Sequence, residues 1–421
     1  MKIEAENQSR NLRIFIISLI VGTFLIYYFS NPKPQYYYNY TFRVADNMLR
    51  GSIGFGEKPP SWLNEFVPFD NLWYSVFPLG SVLTMIPFGL LKLFGFIREM
   101  PAAFISALTA GASCCLLILT ATRYEIERRK LILLVSSILF GTWMWTNLTM
   151  AGAWQLALGF AMFGELGAIY FTVFNRRPIL AGAFFALAFG NRTEILLTAP
   201  IFMFLLFYDS KSKVQSPKSE TVSSKTIITN PTSRVIRNLA AFCGVPFGLG
   251  VLTLVYNYIR FDSFTDFGYA RIPGVLDEPW YNHGIFSIWY IPGQAFEMLL
   301  KLWERKDIFP YYIPNGFSSS ILFSSPFLLF ILRFGAHDKI LKYAAWTAIF
   351  ILTFLLWIHG NSGGWQFGYR YAMILLPWIF LILLENSPKK ITLPEWFLYI
   401  FSIVINAYAT YLFHWTEYVK P

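Results

Sequence analysis

The chain has 421 residues, 55% of them hydrophobic and only 14% charged, a balance that excludes an ordinary soluble globular enzyme. Its net charge of +10 would point a soluble protein toward nucleic acid, but the basic residues concentrate between apolar runs, so no nucleic-acid partner is expected. Cys114, Cys115 and Cys243 all lie inside apolar runs and imply no disulfide framework.

In chain order, Lys2, Arg10 and Arg13 precede the first run, Ile14–Phe29, which reads as an uncleaved signal anchor. A polar, aromatic stretch follows from Tyr37 to Gly80. Within it Thr41–Arg50 has the spacing of an amphipathic helix, with Phe42, Ala45, Met48 and Leu49 on one face and Gly51 as its stop. Such a helix would lie on the membrane surface and hold Asp46 at the interface. Glu65 and Asp70 are the other carboxylates of this stretch that are candidates for chemistry.

Next comes Val82–Phe96, whose Pro87 and Gly89 predict a broken or partly inserted helix, and then Met100–Ala121, Leu131–Trp145 and Gly152–Phe174. Leu180–Tyr208 has room for two short helices. Between them, Gly190–Glu194 sets Arg192 near the membrane boundary, where it either pairs with Glu194 or points toward a phosphate. Residues 209–237, rich in Ser, Thr and Lys, predict a cytoplasmic linker.

After Leu239–Tyr258, the loop 259–317 ends in a surface helix expected over Gln294–Arg305, which would floor a cleft. The remaining runs are Ile321–Leu332, Tyr343–Ile358, Ala372–Leu384 and Trp396–Phe413, which brings the expectation to about 11 crossings. Before the third of these, Gly360–Pro377 is a glycine-rich loop entering a helix at Arg370. Its planar guanidinium suits bidentate contact with a phosphate.

Twenty of the 34 Lys and Arg residues fall in segments 1–13, 122–130, 175–177, 209–237, 333–342 and 385–395, which the positive-inside rule puts in the cytoplasm with the N-terminus. The loops 30–76 and 259–317 are then exoplasmic. Phosphate-loop, GxSxG and HExxH motifs are absent, and the four histidines are dispersed, so neither a nucleotide site nor a metal site is expected. Whatever is transferred should arrive on a lipid.

Several short motifs, in their order, carry a resemblance: Ala45-Asp46-Asn47-Met48-Leu49-Arg50-Gly51, Phe77-Pro78-Leu79-Gly80, Asn191-Arg192-Thr193-Glu194, Tyr256-Asn257-Tyr258-Ile259-Arg260-Phe261 and Gly368-Tyr369-Arg370-Tyr371. In these the chain resembles the GT-C superfamily of integral membrane glycosyltransferases, which includes protein O-mannosyltransferases and aminoarabinose transferases. Glu57-Lys58-Pro59-Pro60 is similar to a lysine-Pro-Pro element that some members use near the donor phosphate. Where the family carries an acid upstream of the Ala matching Ala45, this chain has Tyr36–Tyr38.

The resemblance implies an all-α, GT-C-like transmembrane bundle forming a single domain over 1–421, in the cell (inner) membrane. It also implies a polyprenyl-phosphate sugar as donor and an exoplasmic acceptor, be it lipid, glycan or protein. Sugar transfer needs a carboxylate at the acceptor hydroxyl and cations at the departing phosphate. Asp46 is the first choice of base, with Asp70 and Glu65 in reserve, and Arg370, Arg192 and Lys58 are the phosphate contacts. A transporter or flippase, or an inactive scaffold of the same fold, is the alternative.

Overall fold

The structure is a computed structural model that describes residues 2–208 and 231–419. Its order begins with α1 (Lys2–Phe29), α2 (Tyr40–Leu49), a hairpin of β1 (Phe66–Phe69) and β2 (Leu72–Ser75), α3 (Leu79–Leu83), α4 (Ile86–Leu93), α5 (Ala102–Ala121), α6 (Arg128–Phe140) and α7 (Met144–Met150). It continues with α8 (Ala153–Ile169), α9 (Pro178–Asn191), α10 (Ala199–Phe207) and α11 (Pro231–Phe261). The last elements are α12 (Ile291–Leu299), β3 (Glu304–Arg305), β4 (Tyr312–Ile313), α13 (Ile321–Ser324), α14 (Lys339–Ile358), α15 (Leu376–Glu385) and α16 (Leu393–Trp415).

Among the described residues, five helices are long and apolar enough to cross a membrane, or six if α6 and α7, bent by 47° at Gly141–Trp143, form one span. The chain is therefore a helical multi-pass membrane protein. The expected count of about 11 crossings is not reached by helices of that length. Ile321–Leu332 holds one turn of α-helix and then 3-10 turns, because Ser324, Ser325 and Pro326 interrupt it. Val82–Phe96 is split into α3 and α4 as its prolines and glycines predict.

Close packing of small residues joins the bundle. A Cβ on Gly164 of α8 would lie 2.6 Å from the backbone of Ala188 on α9, and one on Gly80 of α3 only 2.4 Å from Gly190. The second approach matters for the site. It fixes the start of α3 beside the break between α9 and the 3-10 turn Thr193–Thr198, where Arg192 emerges.

Two further boundaries differ from the expectation. Of the linker 209–237, residues 231–237 belong to α11, and 209–230 lie outside the described residues. The surface helix ends at Leu299, not Arg305, and Gln294 is buried, since its amide holds the loop beneath. Glu304–Arg305 instead pairs with Tyr312–Ile313.

The polar residues gather at two ends. At one, segments 122–130, 333–342 and 385–395 meet: Lys130 and Glu395, both fully buried, pair at 2.9 Å, and Arg333 joins the same carboxylate. At the other end, the loops 30–78, 262–320 and 359–369 close over the bundle through backbone bonds such as Gln35 N to Met150 O, Ser287 N to Ile358 O and Gln366 N to Gly316 O.

Candidate active site in the loop cap

Beneath these loops lies a cavity of about 420 Å³, walled by Gln35, Tyr37 and Tyr38, by Ser61, Trp62, Asn64 and Glu65, by the first turn of α8, and by residues of the segments 269–280 and 361–371. Its innermost carboxylate is Glu65. The Trp154 indole Nε1 donates to both Glu65 oxygens, at 2.7 and 2.8 Å, and so sets the plane of the carboxylate. Burial raises the Glu65 pKa to about 7, against the hydrogen bond from Trp154 and the fields of Arg370 and Arg192, which lower it. A carboxyl near 7 can take up and release a proton at neutral pH.

Arg370 enters the same cavity from the glycine-rich loop. The loop is held by Gln366, whose amide donates to the carbonyls of Phe317, Ser362 and Gly363 and accepts from the Arg370 backbone N at 2.7 Å. Gly363, at φ +108°, has no side chain to obstruct the guanidinium: a Cβ there would sit 3.0 Å from Arg370 Nε. Arg370 is 6% exposed, its Nε is enclosed with no hydrogen bond, and it makes no ion pair among the described residues. Its side-chain partners are the Tyr371 hydroxyl at 3.4 Å and the rings of Trp154 and Tyr371. An enclosed cation without an anion is an anion site in waiting.

Arg192 reaches this region through the same ring, its guanidinium 4.7 Å from the Tyr371 centroid and that of Arg370 at 5.1 Å. Unlike Arg370, it is neutralised by Glu194 at 2.6 Å. Behind Tyr371, the hydroxyls of Tyr269 and Tyr281 bond at 2.7 Å, and burial pushes both phenols well above their usual range. Burial likewise lowers the His359 pKa, while its Nδ1 donates to the Asn361 carbonyl at 2.7 Å. His359 is a neutral support of the loop near pH 7.

The other sequence candidates lie elsewhere. Asp46 does not line the cavity: Lys92 of α4 grips it at 2.7 Å and Arg50 at 3.3 Å, so α2 is tied to α4 through this carboxylate. Asp70 and Asn71, at φ 47° and 62°, form the exposed turn of the β1–β2 hairpin. Lys58 is exposed, 5.9 Å above the Trp73 ring. The helix α12 does not floor the cavity. Its Gln294 donates to Gly360 O and accepts from the Tyr369 hydroxyl, which braces the glycine-rich loop from behind.

Sequence reasoning gave no role to Trp154, which orients Glu65, or to Tyr371, whose ring lies against both arginines. The signal was present: each is an aromatic at the first turn of an apolar helix, where amphipathic rings belong.

Neither family models nor curated protein sequences match the chain. Among solved structures it is similar to the apo crystal structure of an oligosaccharyltransferase from Archaeoglobus fulgidus, with 13% identity and a TM-score of 0.41. The alignment covers 95% of this chain and 55% of that one, so the chain spans about half the length of that protein. A likeness of this size fixes neither chemistry nor substrate.

Proposed function

We propose that the protein is a membrane glycosyltransferase that moves a sugar from a polyprenyl-phosphate carrier to an acceptor on the exoplasmic side. The observation that carries this reading is the meeting of Glu65, with a pKa near 7, and the anion-free Arg370 in one cavity under the loops. Glu65 takes the proton of the acceptor hydroxyl while the acceptor oxygen bonds to the anomeric carbon. The bond from that carbon to the phosphate oxygen breaks, and Arg370 stabilises the departing phosphate. Arg192, paired with Glu194, packs on the same Tyr371 ring as Arg370 and so supports its position.

Support for a lipid carrier comes from a second cavity of about 510 Å³, almost wholly apolar, between α9, α10 and α11. Pro78, Gly190 and Thr193 line its inner end, next to Arg192 in the chain. A polyprenyl tail fits its chemistry, whereas a small polar solute does not. On this reading Glu65, not Asp46, is the base, and Arg370 precedes Arg192 and Lys58 as phosphate contact.

The test is release of polyprenyl phosphate from lipid-linked sugars of several kinds by purified parent and Glu65→Gln proteins. The parent should turn over at least one donor, and the variant should lose about 10²- to 10⁴-fold in turnover. Absence of turnover by the parent on every donor, together with passage of a lipid-linked sugar across the bilayer, would establish the transporter alternative instead.

A further inference from the structure

We infer that the acceptor is an uncharged saccharide chain, bound along an aromatic wall that leads from the mouth of the loop cavity to Glu65. The inference rests on the transferase reading above and names its acceptor class.

One wall of the cavity is a run of ring contacts. Tyr37 touches Tyr38 at 4.7 Å between centroids, and Tyr38 touches Trp154 at 5.0 Å, the same indole that holds Glu65. Facing the mouth, Trp62 and Trp280 line the cavity yet remain 52% and 42% exposed. Exposed indoles are costly to leave in water, and these two are not loose. The Trp280 Nε1 donates to Glu278 at 2.8 Å, and its carbonyl lies against Gly360, where a Cβ would come within 2.3 Å. The Trp62 carbonyl accepts from the Tyr40 hydroxyl.

A pyranose ring has an apolar face of axial C–H bonds and a rim of hydroxyls that both donate and accept. The C–H face stacks on the negative face of an aromatic ring, and the rim needs amides or carboxylates beside it. The lining supplies both, since Gln35, Asn64, Gln155, Asn361 and Glu278 stand among the rings. Gln155 is informative because it is 1% exposed and its Oε1 has no hydrogen-bond partner. A hydroxyl donor at the inner end of the wall would satisfy it.

Other acceptors fit less well. An anionic chain would meet Glu65 and Glu278 with Arg370 as the one basic residue among the described lining. Capture of an extended peptide by strand addition needs a free strand edge, and none of the four described strands lines the cavity. A lipid acceptor would find amides and carboxylates at the mouth.

The experiment reads binding with no donor present, by saturation-transfer NMR and tryptophan fluorescence on the purified full chain. The probes are malto-, cello- and mannohexaose, and uncharged Ser-, Thr- and Asn-containing hexapeptides, each to about 10 mM, where even a Kd of about 1 mM is visible. At least one hexasaccharide should bind and the peptides should not. Trp280→Ala and Trp62→Ala should each weaken binding about tenfold or more, Trp280→Phe should restore most of it, and Trp289→Ala, exposed and outside the cavity lining, should change nothing.

Binding of peptides in place of saccharides, no saccharide binding at all, or equal affinity in parent and Trp variants would each overturn the proposal. Because no donor is used, a transferase reading that fails in the Glu65→Gln turnover assay fails separately from this result.

Discussion

The two polar ends of the molecule handle charge in opposite ways. Where segments 122–130, 333–342 and 385–395 meet, buried charges are closed on one another: Lys130 and Arg333 share Glu395, Glu385 accepts from the Tyr124 hydroxyl at 2.6 Å, and Glu127 caps the backbone N of Ile391. Under the loop cap, the Glu65 carboxylate accepts from an indole alone and Arg370 makes no ion pair among the described residues. Both ends are buried and both cost desolvation. Only the closed one is compensated within the chain, so the open one is where an outside molecule can complete the set.

That contrast sets the expected size of each perturbation. Glu65→Gln keeps the shape and the Trp154 contact, so folding should hold while turnover drops about 10²- to 10⁴-fold, measured as polyprenyl phosphate released. The same group governs pH. With its pKa raised to about 7, parent turnover should climb as pH rises through that value, and this limb should vanish in Glu65→Gln. Stability moves the other way. The folded state holds its proton more tightly than the unfolded chain, so the contribution of Glu65 is full below its ordinary range near pH 4.5 and is lost as pH rises to about 7.

At the closed end, Lys130→Met should cost about 3 kcal/mol or more by leaving buried Glu395 short of a partner, seen as an earlier thermal transition with little change in kcat. At the open end, Arg370→Lys should lower kcat/KM about tenfold while leaving thermal stability near the parent's, because the charge stays and the planar fork is lost. Equal loss of stability from both substitutions would erase the distinction between the two ends.

The smallest effect belongs to Asp46. Its carboxylate bridges α2 to Lys92 and Arg50 near the surface, so Asp46→Asn should cost less than about 1 kcal/mol and leave turnover within about twofold. A loss comparable to that of Glu65→Gln would return the catalytic role to Asp46.

Apolar periodicity and charge placement reveal local features of this chain: long apolar helices such as α5, α14 and α16, the amphipathic helix α2 within a residue of its ends, and the break around Arg192. The setting of Arg370 is legible for the same reason, since the glycine-rich loop that holds it, through Gln366, is its neighbour in sequence.

What could not be read was made by distance. The sequence sets Asp46 beside Arg50 but does not show Lys92, 46 positions away, and nothing in it brings Glu65 to Trp154, 89 positions away. Gln294 looked like the polar face of a surface helix, yet it is turned inward by Gly360 and Tyr369, 66 and 75 positions later. The β1–β2 hairpin escaped because its turn is Asp-Asn in place of a stronger Asn-Gly signal.

The most direct test sets the three carboxylate and cation variants side by side: donor turnover of the parent, Glu65→Gln, Arg370→Ala and Asp46→Asn, in one preparation with thermal stability alongside. The account predicts losses of at least about 10²-fold for Glu65→Gln and Arg370→Ala and near-parent turnover for Asp46→Asn, all three folded. Full turnover by folded Glu65→Gln would contradict it.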